Sequence, residues 1–243
     1  MTRLPPLADA IGVHLLRFAV MFVALEIAIV AGVEGFALGL VANTAVTVLA
    51  VALMTWRGLW RSSGFTTMVR SRLAVIALLP FALEAVSWAL PAGLVGREPG
   101  FGAWATTLLL VGINEELTSR GVVLSRLSHA YRPIVAVVLT GALFGLQHLS
   151  AFALTDRTAD DILGNVLLSG VYGFALAAYQ LRFHWIWPLI LVHATADFTS
   201  VLAPEPLPDP VVAVIQLFMV GYGLVLLRGI RPSARVADKG LVG

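Results

Sequence analysis

Long apolar blocks separated by short polar breaks run the length of the chain, and the blocks set the architecture. Eight stretches, 11–33, 36–55, 73–95, 103–127, 133–152, 162–181, 184–202 and 210–228, come close to the ~20 residues that carry a helix across a ~30 Å hydrocarbon core. Their apolar character is continuous rather than alternating, which separates them from membrane-barrel strands. The breaks hold turn-forming or charged residues: Gly96-Arg97-Glu98-Pro99-Gly100, Arg132-Pro133, Asp160-Asp161, and the run from Pro204 to Pro210. In lipid, backbone polar groups must be satisfied within the segment or a closed barrel. The pattern therefore predicts an all-α, polytopic transmembrane bundle of about eight spans.

Residues 56–72 break the pattern differently. Trp56, Trp60, Phe65 and Met68 interleave with Arg57, Arg61, Arg70 and Arg72, the mixture expected of a segment lying in the headgroup region. No internal repeat divides the remainder, so 1–243 reads as one integral membrane domain.

Composition sharpens this picture. Hydrophobic residues make up 59% of the chain and charged residues only 12%, about half the charge of a soluble domain. With no cysteine, disulfides, thiol nucleophiles and thiolate metal sites are excluded. The net charge of +2 does not indicate a nucleic-acid partner, because the basic residues flank the spans. With the N-terminus inside, the inner side receives Arg3, Arg57, Arg61, Arg70, Arg72, Arg126, Arg132, Arg182, Arg228, Arg231, Arg235 and Lys239, and the outer side only Arg97 and Arg157. That asymmetry predicts cytoplasmic termini and an even span number. Trp56, Trp60, Trp104, Trp185 and Trp187 fall near span ends, where amphipathic rings sit. The arginine-rich tail from Arg228 reads as an inner-leaflet anchor, and no removable signal peptide is expected at the N-terminus. Gly141, Ala142, Gly145, Gly164, Gly170 and Gly173 read as helix-packing positions rather than nucleotide loops.

Ionisable side chains inside the spans carry the candidate chemistry, since each costs at least ~2.5–3.5 kcal/mol to insert. Span four holds Asn114-Glu115-Glu116 and Arg120, span five His148, and span seven His193 and Asp197. Glu116 and Arg120 are four apart on one face, the spacing of an ion pair. Glu115 points about 100° away, free to meet another partner. His193 and Asp197 share a face, and Phe144 lies one turn from His148. If the three helices converge, they enclose acids and imidazoles suited to hydrolysis: a glutamate as base on water, with imidazoles orienting it and stabilising the oxyanion. The same donors would equally suit a catalytic zinc. Counted along the spans, Glu115 is near mid-membrane and His148 nearer the outer end, a mismatch of about 10 Å at 1.5 Å per residue. Glu26 and Glu84 read as structural or cavity-lining; His14, His129 and His184 read as interfacially solvated.

Glu115-Glu116-Leu117-Thr118-Ser119-Arg120 (EExxxR), Phe144 to His148 (FxxxH) and His193 to Asp197 (HxxxN/D) resemble, in order and placement, the CPBP family of CAAX prenyl proteases, bacteriocin-processing and "abortive infection" membrane proteins. The resemblance runs from about Asn114 to Asp197, within a motif core of about 103–202. It implies an intramembrane endopeptidase of glutamic type, acting on a membrane-associated peptide or protein from a site inside the bilayer. By motif position Glu115 would be the general base with His148 as its partner. His193 and Asp197 would position or stabilise the tetrahedral intermediate, while Glu116, Arg120 and Phe144 would be structural support. Asp197 departs from the asparagine of many members, and an ionised carboxylate cannot donate to an oxyanion. No cofactor is expected. The alternatives are a zinc-dependent version on Glu115, His148, His193 and Asp197, or a non-catalytic scaffold or proton-coupled transporter. The expected partners are the bilayer and a peptide or membrane-protein substrate, without nucleic acid or nucleotide, and the expected location is a bacterial cytoplasmic membrane.

Overall fold

The computed structural model describes residues 4–68 and 71–231. Arg3, Arg70, Arg235 and Lys239, with most of the basic tail, lie outside the described residues. The described chain is helical and contains no strand. It runs α1 (Pro6–Val30), α2 (Phe36–Trp56), α3 (Arg72–Ile76), α4 (Leu79–Ser87) and α5 (Phe101–Glu116). A π-helical turn (Leu117–Val123) then leads into α6 (Leu124–Ser128). α7 (Pro133–Leu146) passes through a 3-10 turn (Gln147–Ser150) into α8 (Ala151–Leu154), followed by α9 (Ala159–Phe183), α10 (Ile186–Leu202) and α11 (Asp209–Leu227).

Among the described residues, five helical stretches are long and apolar enough to cross a membrane: Pro6–Val30, Phe36–Trp56, Pro133–Leu154, Ala159–Phe183 and Asp209–Leu227. α10 is a shorter apolar helix. The stretch from α5 to α6 is one unbroken helical run. Outward faces are apolar: Val23, Ile27 and Val30 on α1, and Val214, Leu217 and Phe218 on α11, are exposed. Such surface is stable against lipid and would be unfavourable in water. The protein is an integral membrane protein.

The stretch 73–95 does not form the single span that its hydropathy suggests. It is two short helices followed by turns through Ala92. Pro80, at the first turn of α4, has no amide to continue the ladder and crowds the carbonyl four residues back, so the helix breaks there. Tyrosines from other helices satisfy carbonyls beside the break. Tyr179 Oη donates to Ala74 O at 2.9 Å and Tyr222 Oη to Ala77 O at 2.7 Å. Phe81 packs edge-on against Tyr172, Tyr179 and Tyr222.

The described part of the 56–72 segment is mostly turns, and it is bolted to the bundle. Gln180 Nε2 donates to Ser63 O, and the indole nitrogens of Trp185 and Trp187 both donate to Thr67 O. The charged ends of several helices gather nearby. Asp9 at the start of α1 pairs with Arg57 after α2 and Arg126 on α6, and Arg182 near the end of α9 donates to the carbonyls of Leu226 and Arg228. One end of the bundle is thereby stitched together by basic residues.

Close helix approach depends on glycine at two places. A β-carbon on Gly112 of α5 would sit 2.7 Å from Ile190 O of α10. One on Gly141 of α7 would sit 2.8 Å from Gly170 O of α9. These contacts let backbones meet without side chains between them. Gly164 has open space around it instead, so the packing reading does not hold there.

Candidate active site

The end of α5, the π-helical turn, the end of α7 and the middle of α10 meet in the bundle interior. The Gly112 contact sets α5 against α10, so that Glu116, one turn later, faces His193. His193 Nδ1 lies 2.7 Å from Glu116 Oε1. The same Oε1 is 3.0 Å from Arg120 Nη1, and neither side chain of the Glu116–Arg120 pair is exposed at all. The pair falls where the helix widens from α to π, a departure that often accompanies functional sites. Gly121 in that turn lies against Met54 of α2, with a β-carbon there only 2.6 Å from its sulfur.

Glu115 points elsewhere. Its Oε1 accepts from Arg17 Nη2 of α1 at 3.0 Å, and its Oε2 is 3.7 Å from His193 Nε2. Arg17 also donates to Asn114 Oδ1 at 2.9 Å, while Asn114 Nδ2 reaches Asn43 Oδ1 of α2 at 3.3 Å and Leu110 O at 2.7 Å. A buried arginine, a buried amide and a buried carboxylate thus satisfy one another, as charge in a low-dielectric interior requires. Arg17 belongs to none of the sequence motifs. The usable signal was a cation within an apolar helix, for which a partner should have been sought.

Phe144 joins the two imidazoles. Its ring meets His148 and His193 edge-on, at centroid distances of 5.5 and 5.7 Å, and the Arg120 guanidinium lies over it at 4.1 Å. Its packing role is therefore also electrostatic. His148 lies in the 3-10 turn that closes α7. Its Nδ1 is 3.2 Å from Phe144 O and its Nε2 3.4 Å from Ser169 Oγ. Asp197 Oδ2 is 3.7 Å from His193 Nε2. Phe144, His148, His193 and Asp197 all line a cavity of about 540 Å³, with Glu84, Ser169 and Tyr172 among the other walls. Glu115 and His148 are linked only through this chain: Glu115 approaches His193, whose ring shares Phe144 with His148. Glu115 and His148 make no direct contact. Tyr172, 5.9 Å from His193 ring to ring, is a further residue that no motif indicated.

The other polar residues sort by position. Glu84 lines the cavity, whereas Glu26 is exposed. His129 and His184 are exposed, but His14 is 5% exposed and neither ring nitrogen has a hydrogen-bond partner. The interfacial reading of His14 is corrected: it lies one turn from Arg17 on α1 and faces the bundle. Among the described residues no three His, Asp or Glu side chains are grouped to hold a metal ion; Glu115 is engaged by Arg17, and Glu116 by Arg120 and His193.

No curated protein and no solved structure matches the chain. A family model described as type II CAAX prenyl endopeptidase Rce1-like matches residues 97–199, a segment that contains all three motifs. The part of this protein that brings its acids and imidazoles together thus matches the Rce1-like model, that of the CPBP/CAAX protease family.

Proposed function

We propose that this protein is an intramembrane endopeptidase in which Glu115 activates a water molecule for attack on a peptide bond. The observation that carries the reading is the position of Glu115: one oxygen is fixed by Arg17 and the other is turned toward His193 beside the cavity. A base held in this way keeps its reactive oxygen aimed without reorganisation during reaction.

In this scheme Glu115 Oε2 takes a proton from water as the water oxygen adds to the scissile carbonyl. His193, with Nδ1 donating to Glu116, presents its Nε2 proton to the developing oxyanion. Asp197, near the same nitrogen, balances the charge of a doubly protonated imidazole, a role that suits a carboxylate where asparagine is usual. His148, across Phe144, orients the water, and the Phe144 carbonyl, which can only accept, holds a His148 proton on Nδ1. Glu115 then returns its proton to the departing amine as the C–N bond breaks, giving a carboxylic acid and an amine. The chemistry needs no group beyond these side chains and water. The setting we propose is a bacterial cytoplasmic membrane with both termini inside.

The test compares peptide termini in membranes and medium from cells expressing wild type or Glu115→Gln at equal inserted levels. New termini are expected with wild type and should fall at least ~100-fold with the variant, as for loss of a general base. Identical profiles would overturn the proposal.

A further inference from the structure

The cavity has a second polar wall, built on helices outside the matched segment. Glu84 of α4 is 8% exposed. Its Oε1 accepts from Trp88 Nε1 at 2.8 Å, and its buried Oε2 has no hydrogen-bond partner. Gln216 of α11 lines the same cavity, and its Oε1 is also buried without a partner. Trp88 and Tyr172 add aromatic surface to these walls. The position of α4 is fixed independently, since Thr199 Oγ1 of α10 donates to Ala85 O.

Acceptors buried without donors are costly, and a carboxylate more so than an amide. Two of them beside aromatic rings suit a ligand that brings N–H donors and positive charge, an ammonium or a guanidinium. Of the cationic groups on the lining, His193 is engaged by Glu116, and Arg157 is exposed with its Nη2 donating to Asp161 O at 3.0 Å, directed to backbone at the rim. Asp197 on the lining adds to the acidic character.

We propose that Glu84, with Gln216, Trp88 and Tyr172, forms a subsite for a lysine or arginine side chain of the substrate, near the bond to be cut. The cation subsite is read from the wall itself; only the identity of the peptide as its carrier rests on the proteolytic reading. The reacting groups belong to 97–199, whereas three of these four residues lie on the flanking elements, so specificity and chemistry are built separately.

Two measurements decide it. The first uses the full-length protein in detergent and follows its thermal midpoint with butylguanidinium or the neutral isostere butylurea. Wild type should rise by several degrees with butylguanidinium alone. Glu84→Gln, which keeps an acceptor for Trp88, should lose that rise, and Gln216→Leu should reduce it. No rise in wild type, or an equal rise in Glu84→Gln, overturns the subsite. The second maps the residues around the new termini. Lysine or arginine should be enriched at one position, and that enrichment should fall several-fold in Glu84→Gln relative to other sites. Binding without such enrichment would assign the wall to a cationic lipid headgroup and overturn the substrate proposal. If Glu115→Gln leaves the termini unchanged, the proteolytic reading fails while the butylguanidinium result still decides the subsite.

Discussion

Around Glu115 and Glu116 each charge is placed against a counter-charge, and the consequences can be measured. Arg17→Met would leave Glu115 and Asn114 buried without their donor. Breaking one side of a buried pair costs about 3–5 kcal/mol, so the variant should unfold at markedly lower denaturant in detergent, with Arg17→Lys recovering part of the loss. Equal stability of all three would show that the Arg17 contact contributes nothing. Metal content is a second test at this scale. Purified protein should carry no stoichiometric zinc, and about one equivalent that disappears with His148→Ala would overturn the metal-free scheme. The sequence made most of this scale legible, because Glu115, Glu116, Arg120, His148, His193 and Asp197 stand out as charge or imidazole within apolar runs. It could not reveal which carboxylate meets which base. A spacing of four locates Arg120 on the face of Glu116, but the partner of Glu115 comes from α1, 98 positions away, and no local pattern encodes it.

At the scale of elements, the helices were legible by length and their interruptions were less so. α2, α9 and α11 agree with the hydropathy blocks to within a few residues. The third block misled, because its composition is largely apolar despite Glu84 and Ser87, and Pro80 marks the break between its two helices. The π-helical turn was invisible in the sequence, since a widened turn uses the same residues as an α-helix. Helix approach gives the testable feature here. At Gly112 a single added methyl group meets the Ile190 carbonyl. Gly112→Ala should lower the thermal midpoint and Gly112→Val should lower it further, within the roughly 1–3 kcal/mol typical of overpacking. Both should reduce the yield of new termini, since Glu116 and His193 separate with the helices. An unchanged midpoint across the series would mean that α5 and α10 are not in close approach.

At the scale of the molecule, one end of the bundle gathers Asp9, Arg57, Arg126 and Arg182 with the tryptophan-bound segment at 56–72. This is the end that the arginine bias assigns to the cytoplasm. The chain has no cysteine, so single introduced thiols report topology directly. In intact cells an impermeant maleimide should label Thr158→Cys and spare Ser62→Cys and Ser128→Cys, with the latter two labelled after lysis. The reverse pattern would invert the protein in the membrane.

The contact between Arg17 and Glu115 also bears on biogenesis. Chain order delivers α1 to the bilayer well before α5 is synthesised, so the guanidinium is present when the carboxylate arrives. The first helix then acts as an internal receptor for the most polar one, and neutralises at docking a charge that would otherwise oppose its retention in lipid. A fragment beginning at α5 would carry every motif residue and lack that receptor.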